Sequence, residues 1–392
     1  LASSSGFIIF MPWLTIPAQM RVGRFRFSPI RLADVGAIID PSMVSTVQNA
    51  LRCYVQKNGH PIQSCTILLR VSDREPWNIP RSHWDYASEA AKTLAIACLS
   101  EQRFLEGHFS PHLNATMFHI IGQGVSVGSD QIAPFFARRG GGLQIGGMRF
   151  KDIVFQRPPQ IEGTDCSLIN AALIKSIGKA RRLKLPVADA IDSSLELFLL
   201  GHSETPELDW DRCVMLSAMA FERLLTPTQS SAQAMAATFA SHWSPFVSVK
   251  ISDAKRVKPD AKYATEQADW PLHRKWIKEL YEARSATAHR GVQIAFSRNW
   301  LAWQHLIVAA FAYPLTIKLM LSENNLYTLS DHELGACDAL DDLLDSSWGK
   351  GWRKPPEWSE ILSKSEAYRA IRAIIDRAIV KSPSGQRRKI KK

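Results

Sequence analysis

Arg274-Lys-Trp-Ile-Lys-Glu-Leu-Tyr-Glu-Ala-Arg284-Ser-Ala-Thr-Ala-His289-Arg-Gly291 is the stretch from which the fold is read. Trp276, Ile277, Leu280, Tyr281, Ala283 and Ala286 recur largely at spacings of three and four, which places them on one buried face of a helix. Gly291 follows the last periodic residue, where a left-handed turn commonly ends a helix. Arg284 and His289, with four residues between them, therefore stand near the end of a core helix.

The segments around this helix have the same character. Residues 168–183 and 187–200 carry helical apolar spacing, and Asp209 is a suitable N-cap for a helix over Trp210–Leu225. An alanine-rich helix over 231–243 follows, and residues 299–321 form a long apolar helix after the Arg/His helix. In this order, with Ala220-Phe-Glu222-Arg-Leu-Leu225 ahead of the alanine-rich helix, the Arg-x4-His pattern resembles the HEPN superfamily, in its Apea-like form. The resemblance covers about residues 168–325. It implies a helical bundle that pairs as a homodimer, and a metal-independent endoribonuclease in which Arg284 and His289 are the catalytic residues. Ser285 and Arg290 stand where family members often carry Asn, Asp or His after the arginine, and Gly after the histidine.

The residues support such chemistry on their own terms. Five positions along a helix turn the side-chain direction by roughly 140° and advance it about 7.5 Å. Arg284 and His289 of one helix thus point different ways, and a shared site forms more readily where two copies meet across a two-fold axis. A guanidinium is a fixed positive fork for phosphate oxygens. An imidazole exchanges protons near neutrality, so it can serve a ribose 2′-OH or a leaving 5′-oxygen. Together they suffice for transesterification of RNA without a metal or other cofactor, with Glu222, Ser285 and Arg290 as supporting candidates. The plain alternative for Arg284 and His289 is a helix-end capping pair, or ion pairs with Glu279, Glu282 or a neighbouring helix.

Residues 1–160 read differently, as a mixed α/β domain. Strands are expected over 7–16, 21–27, 65–71, 117–127 and 143–155, and helices over 44–56 and Trp84–Leu99. Arg138-Arg-Gly-Gly-Gly142 reads as a hairpin turn, since no Lys-Ser/Thr follows to make a phosphate loop. Glu106-Gly-His108-Phe-Ser-Pro-His112 is a weak metal candidate because Pro111 breaks the helix on which such a pair usually sits. Arg157-Pro-Pro-Gln-Ile-Glu-Gly163 is a polar proline linker with few contacts expected across it.

The fold class expected is thus α+β, an N-terminal mixed α/β domain followed by an all-α, HEPN-like bundle. Residues 326–380 add a small helical extension. Within it, Trp348-Gly-Lys-Gly-Trp352-Arg-Lys-Pro-Pro-Glu-Trp358 suits either base stacking or, preferably, anchoring of a loop. Residues 381–392 form a basic tail, expected to be disordered, with Lys381, Arg387, Arg388, Lys389, Lys391 and Lys392 and no acid.

Composition bounds these readings. At 392 residues the chain exceeds one ordinary core, and its formal charge of +11 is mildly favourable to a polyanion. The six Cys are scattered without a Cys-x-x-Cys pair, which suits reduced thiols in the cytoplasm. Residues 6–10 are apolar but too short, and too lacking in preceding positive charge, for a secretory signal; Met11 is a plausible alternative start. Residues 299–317 lack Lys, Arg, Asp and Glu but include Gln304, His305 and Pro314, so a core helix is expected and no membrane. The function expected is an RNA-cleaving toxin or antiphage defence effector, with a trigger or antitoxin acting on residues 1–160. The alternative is an inactive HEPN module for dimerisation or for nucleotide or RNA binding.

Overall fold

The computed structural model describes residues 5–71, 75–101, 113–138, 141–161, 168–225, 231–290, 299–348 and 356–381. Its first half is built on one antiparallel sheet. The strands are β1 (Ser5–Met11), β2 (Met20–Val22), β3 (Phe25–Arg31), β4 (Tyr54–Val55), β5 (Ser64–Arg70), β6 (Ile121–Ser126), β7 (Gln131–Arg138), β8 (Gly141–Gln144), β9 (Met148–Arg149) and β10 (Phe155–Gln156). The sheet runs β2-β3-β5-β1-β6-β7-β8, with β9 also on β7, while β10 and β4 form a separate parallel pair.

The central strand is β1, the apolar run that begins before Met11. It is buried on both faces, which is why it reads as continuous hydrophobicity and not as alternation. Ile8 and Phe10 join Val47, Leu51 and Tyr54 in a cluster beneath α1 (Val44–Arg52). Phe7, Ile9 and Met11 belong to the core that also holds Ala87, Ala91 and Leu94 of α2 (Trp84–Leu99). Beside β1, a Cβ on Gly122 would stand 2.4 Å from Phe7 Cζ, so this register admits only glycine there.

Residues 143–155, expected as one strand, divide among β8, β9, a 3-10 turn over Phe150–Asp152 and β10, because Gly147 turns the chain at φ +84°. The helix expected over 44–56 stops at Arg52, ahead of β4. Two further stretches depart from the expected pattern. Residues 21–27 form a hairpin and not one strand, because Gly23 turns the chain at φ +59° between β2 and β3. Residues 131–138, expected as loop, form β7 despite Pro134. The hairpin at Arg138 is present, with Arg138 opposite Gly141.

The second half is helical: α3 (Ala171–Arg182), α4 (Pro186–Gly201), α5 (Trp210–Leu225), α6 (Ala232–Trp243), α7 (Ala264–Gln267), α8 (Leu272–Arg290), α9 (Ala302–Glu323), α10 (Asp331–Asp338), α11 (Leu340–Leu344) and α12 (Trp358–Lys381). The chain is therefore mixed, with an antiparallel sheet first and helices after it. Asp209 caps α5 as expected, accepting a 2.9 Å bond from the Arg212 amide. Helix α9 is long and apolar enough to span a membrane, but 89% of its most apolar window is buried inside the protein. It packs on α3, α4, α5 and α6.

The expectation of few contacts across the linker is corrected. Helix α2 covers the sheet on one side and packs on α3 and α4 on the other, so one hydrophobic core runs from Phe7 to Leu362. Lys92 of α2 bridges Glu89 and Glu196 of α4, at 2.7 and 2.8 Å. The Asn170 amide, at the cap of α3, donates to the Ala97 carbonyl of α2. The linker itself is tied down, since the Arg157 guanidinium donates to Gln56 Oε1 and to the Ile161 carbonyl. A polar, proline-containing segment can be ordered when its donors find buried acceptors.

Residues 326–348 share this same core through Tyr327, Ala336, Leu340 and Leu343. Trp348 packs edge-on against Trp303 and Trp358 against Phe311, both tryptophans buried, which is the anchoring arrangement. Of the described cysteines Cys53, Cys65, Cys98 and Cys337 are buried and Cys213 is half-buried. The metal candidate at 106–112, residues 349–355 and the basic stretch 382–392 lie outside the described residues.

Candidate active site

Helix α8 is positioned from its first turn. The amide of His273 donates 2.9 Å to Asp341 Oδ1 of α11, and the His273 ring Nδ1 lies 2.9 Å from the same oxygen. A carboxylate at a helix N-terminus meets unpaired amides and the positive end of the dipole. Asp338, Asp341 and Asp345 also accept the amides of Val247, Val249, Lys255 and Arg256. Three carboxylates of the acidic run at 338–345 are therefore turned to backbone donors, while Asp342 pairs with Lys364 and Asp338 also with Arg369.

One turn later α8 carries charge into the core. Lys275 has no exposed side-chain surface and lies 2.6 Å from Asp260 and 3.3 Å from Glu279. Lys278 reaches the other Asp260 oxygen at 3.2 Å and also pairs with Glu282. Burial would raise the Asp260 carboxyl, but bonds from Lys275, Gln267 and Lys278 outweigh it and hold the carboxyl well below the usual range. Glu279 goes the other way: burial pushes it up, only partly opposed by Lys275 and by the Asn299 amide that donates to it. Asn299 also accepts the Lys258 amide, so the chain on either side of residues 291–298 is pinned to this face of α8.

On the opposite side Trp276, Ile277, Leu280 and Ala283 are buried, and Trp276 meets Phe221 of α5 edge-on. This places the next residue of interest at the seam of α5 and α8. Arg284 Nη2 lies 3.3 Å from Glu222 Oε2, with side-chain exposures of 26% and 12%. The guanidinium carbon stands 5.4 Å from the Tyr281 ring centroid. The group is thus held by a carboxylate and an aromatic face while part of it stays open to solvent.

Ser285 is half-buried on the next position. The α8 backbone continues through His289 to Arg290, so Arg284 and His289 are five positions apart on one helix. The side chains of His289 and Arg290 lie outside the described residues, as does Gly291. Of the expected site residues, the fold brings Arg284 and Glu222 together. Glu279 and Glu282, the other carboxylates weighed for Arg284, are engaged by Lys275 and Lys278.

Tyr281 and the Asp260–Lys275–Glu279 group were not foreseen. The i,i+4 spacing of Lys275 with Glu279 and of Lys278 with Glu282 was the available signal. Such spacing ordinarily marks a solvated face. Asp260, arriving from another loop, makes this one internal.

Compared with protein-family models, curated proteins and solved structures, the chain matches none of them.

Proposed function

We propose that the chain is a HEPN-type, metal-independent endoribonuclease that acts in the cytoplasm as a toxin or antiphage defence effector. The observation that carries this reading is the contact between Arg284 and Glu222. It holds a partly open guanidinium at the α5/α8 seam, five positions ahead of a histidine on the same helix. Arg284 would neutralise charge developing on the phosphodiester, and His289 would take the 2′-OH proton or return one to the 5′-oxygen. Glu222 would keep the guanidinium in one rotamer, with Ser285 and Arg290 supplying further contacts to phosphate. Because of the angular offset along α8, a homodimer facing two copies of this helix would complete the site. Residues 1–160 would sense a trigger or antitoxin, and α2 is their mechanical link to α3 and α4.

A second reading is an inactive HEPN module serving dimerisation or nucleotide binding. It is favoured by the same ion pair, since an arginine already matched by a carboxylate satisfies a purely structural account.

The deciding experiment incubates the full chain with mixed cellular RNA, with and without EDTA, beside His289→Ala and Arg284→Ala. The ribonuclease reading expects cleavage insensitive to EDTA and reduced about 10²–10⁴-fold by either substitution, the double variant losing little more. Sedimentation of the same samples should show a dimer. No cleavage by the parent, or cleavage that both folded variants retain in full and that Arg284 and His289 therefore do not make, would overturn the ribonuclease reading of this bundle and leave the inactive module as its account.

A further inference from the structure

A cavity of about 630 Å³ lies where the end of α2, the start of α3, the middle of α9 and the starts of α10 and α12 meet. This is within the size range of small-molecule sites, which are mostly apolar with a few convergent polar groups. Its apolar wall includes Phe311, Pro314, Leu315 and Trp358, with Phe311 and Trp358 edge to face at 4.9 Å. Its polar end is a connected network. Lys318, only 2% exposed, lies 3.2 Å from Glu101 Oε1 and 2.7 Å from Glu333 Oε1. Tyr327 Oη donates 2.8 Å to Glu333 and accepts from Asn170, whose amide also donates 2.8 Å to Glu101 Oε1.

The accounting of this network points to what is missing from it. Among the described residues two carboxylates share one ammonium, which leaves the set one positive charge short. Glu333 is saturated, because its second oxygen accepts the Ser330 amide at 2.7 Å. Every partner of Glu101 falls on Oε1, and Glu101 is 31% exposed, so among the described residues its Oε2 is an unused acceptor. A second acceptor comes from the helix itself. Pro314 supplies no N–H to the Ala310 carbonyl one turn earlier, and both residues line the cavity. Lys318 is already matched by both carboxylates and is almost fully buried, so it has little charge to offer an incoming anion.

We propose that this cavity binds a small organic cation, an ammonium carried on an aromatic body. The ring would lie against Phe311 and Trp358, where aromatic faces attract cations and apolar groups alike. The ammonium would donate to Glu101 Oε2 and to the Ala310 carbonyl, bringing two negative and two positive charges into balance. The site bridges α2 of the first half and α9 of the bundle, so an occupant braces that junction. It is independent of Arg284 and His289, and stands or falls apart from any nuclease activity.

The test uses the full chain and calorimetric titration with tryptamine, beside indole-3-acetate and indole-3-ethanol as anionic and neutral counterparts. Tryptamine should bind saturably at millimolar concentration or below, and the other two at least about tenfold more weakly. Glu101→Gln keeps the shape of the side chain and should weaken tryptamine about tenfold while leaving indole-3-ethanol unchanged. Phe311→Ala leaves the charged network intact and should weaken both tryptamine and indole-3-ethanol. No saturable tryptamine binding overturns the proposal. So does equal binding of the acetate, or tryptamine binding indifferent to both substitutions. Should Glu101→Gln fail to fold, the ligand series on the parent and Phe311→Ala still decide the matter.

Discussion

Arg284 Nη2 of α8 stands 3.3 Å from Glu222 Oε2 of α5, an ion pair across the seam of those helices. The pair is neither fully buried nor free in solvent, so it can position a group without removing it from reach. Glu222→Gln preserves the shape and removes the charge. A double-mutant cycle with Arg284→Ala, read by urea unfolding, should return a coupling of about 0.5–1.5 kcal/mol. On the nuclease reading Glu222→Gln should also lower kcat with KM little changed. A coupling near zero together with unaltered kcat would reduce the pair to an incidental proximity of long side chains.

The buried charges upstream should matter more for stability. Asp260 is what compensates Lys275, which has no exposed surface. Asp260→Ala leaves that ammonium with Glu279 alone at 3.3 Å. The expected cost is about 3 kcal/mol, measured as a lowered urea midpoint at unchanged slope. A loss below about 1 kcal/mol would mean that water reaches Lys275 in the folded chain.

Acid sensitivity should trace in part to His305. Its ring is fully buried near Trp276 and Trp300, neither nitrogen has a partner among the described residues, and burial pushes its pKa down to about 3. The unfolded chain binds this proton below about pH 6.5 and the folded chain does not, so stability falls as pH drops from there toward 3. The slope from this one group is at most about 1.4 kcal/mol per pH unit. Asp260, whose folded pKa is depressed, adds loss in the same direction only below about pH 4. His305→Phe should flatten the limb between pH 6.5 and 4, as measured by thermal melts across that range. An unchanged limb would assign it to other groups.

Separating the halves should fail. Helix α2 packs on α3 and α4 within one continuous core, so a fragment over residues 168–381 would present the uncovered faces of those helices to water. It is expected to aggregate on expression, in contrast to the separable bundle that the linker composition suggests. A monodisperse, helical fragment in size-exclusion chromatography would show that the cover by α2 is dispensable.

Much of this architecture was legible because its cause is local. Trp84–Leu99 and Trp210–Leu225 were read with the bounds the structure has, since apolar spacing near 3.6 and a cap such as Asp209 act within a few residues. The change from strands to helices near residue 160 is likewise a change of periodicity, and the Arg-x4-His spacing on α8 is a property of the string itself. Pro134 hid β7 because a strand held by neighbours on both sides tolerates what its own propensity argues against. Gly23 hid a hairpin because one positive φ divides a run of uniform strand character.

Tertiary structure alone decided which distant residues share a space. The sequence places Glu222 and Arg284 on separate helices, and only the packing of α5 on α8 makes their contact one of 3.3 Å. It places Asp260 in a loop and Lys275 on a helix with the spacing of a solvated face, and only the arrival of that loop turns the face inward. Glu101, Lys318 and Glu333 come from three elements on both sides of the expected boundary, and their network exists because α2 is shared between sheet and bundle. Periodicity is set by each residue's own backbone and near neighbours. Partnership across long stretches of chain is set by the burial of whole faces, which no short window of sequence contains.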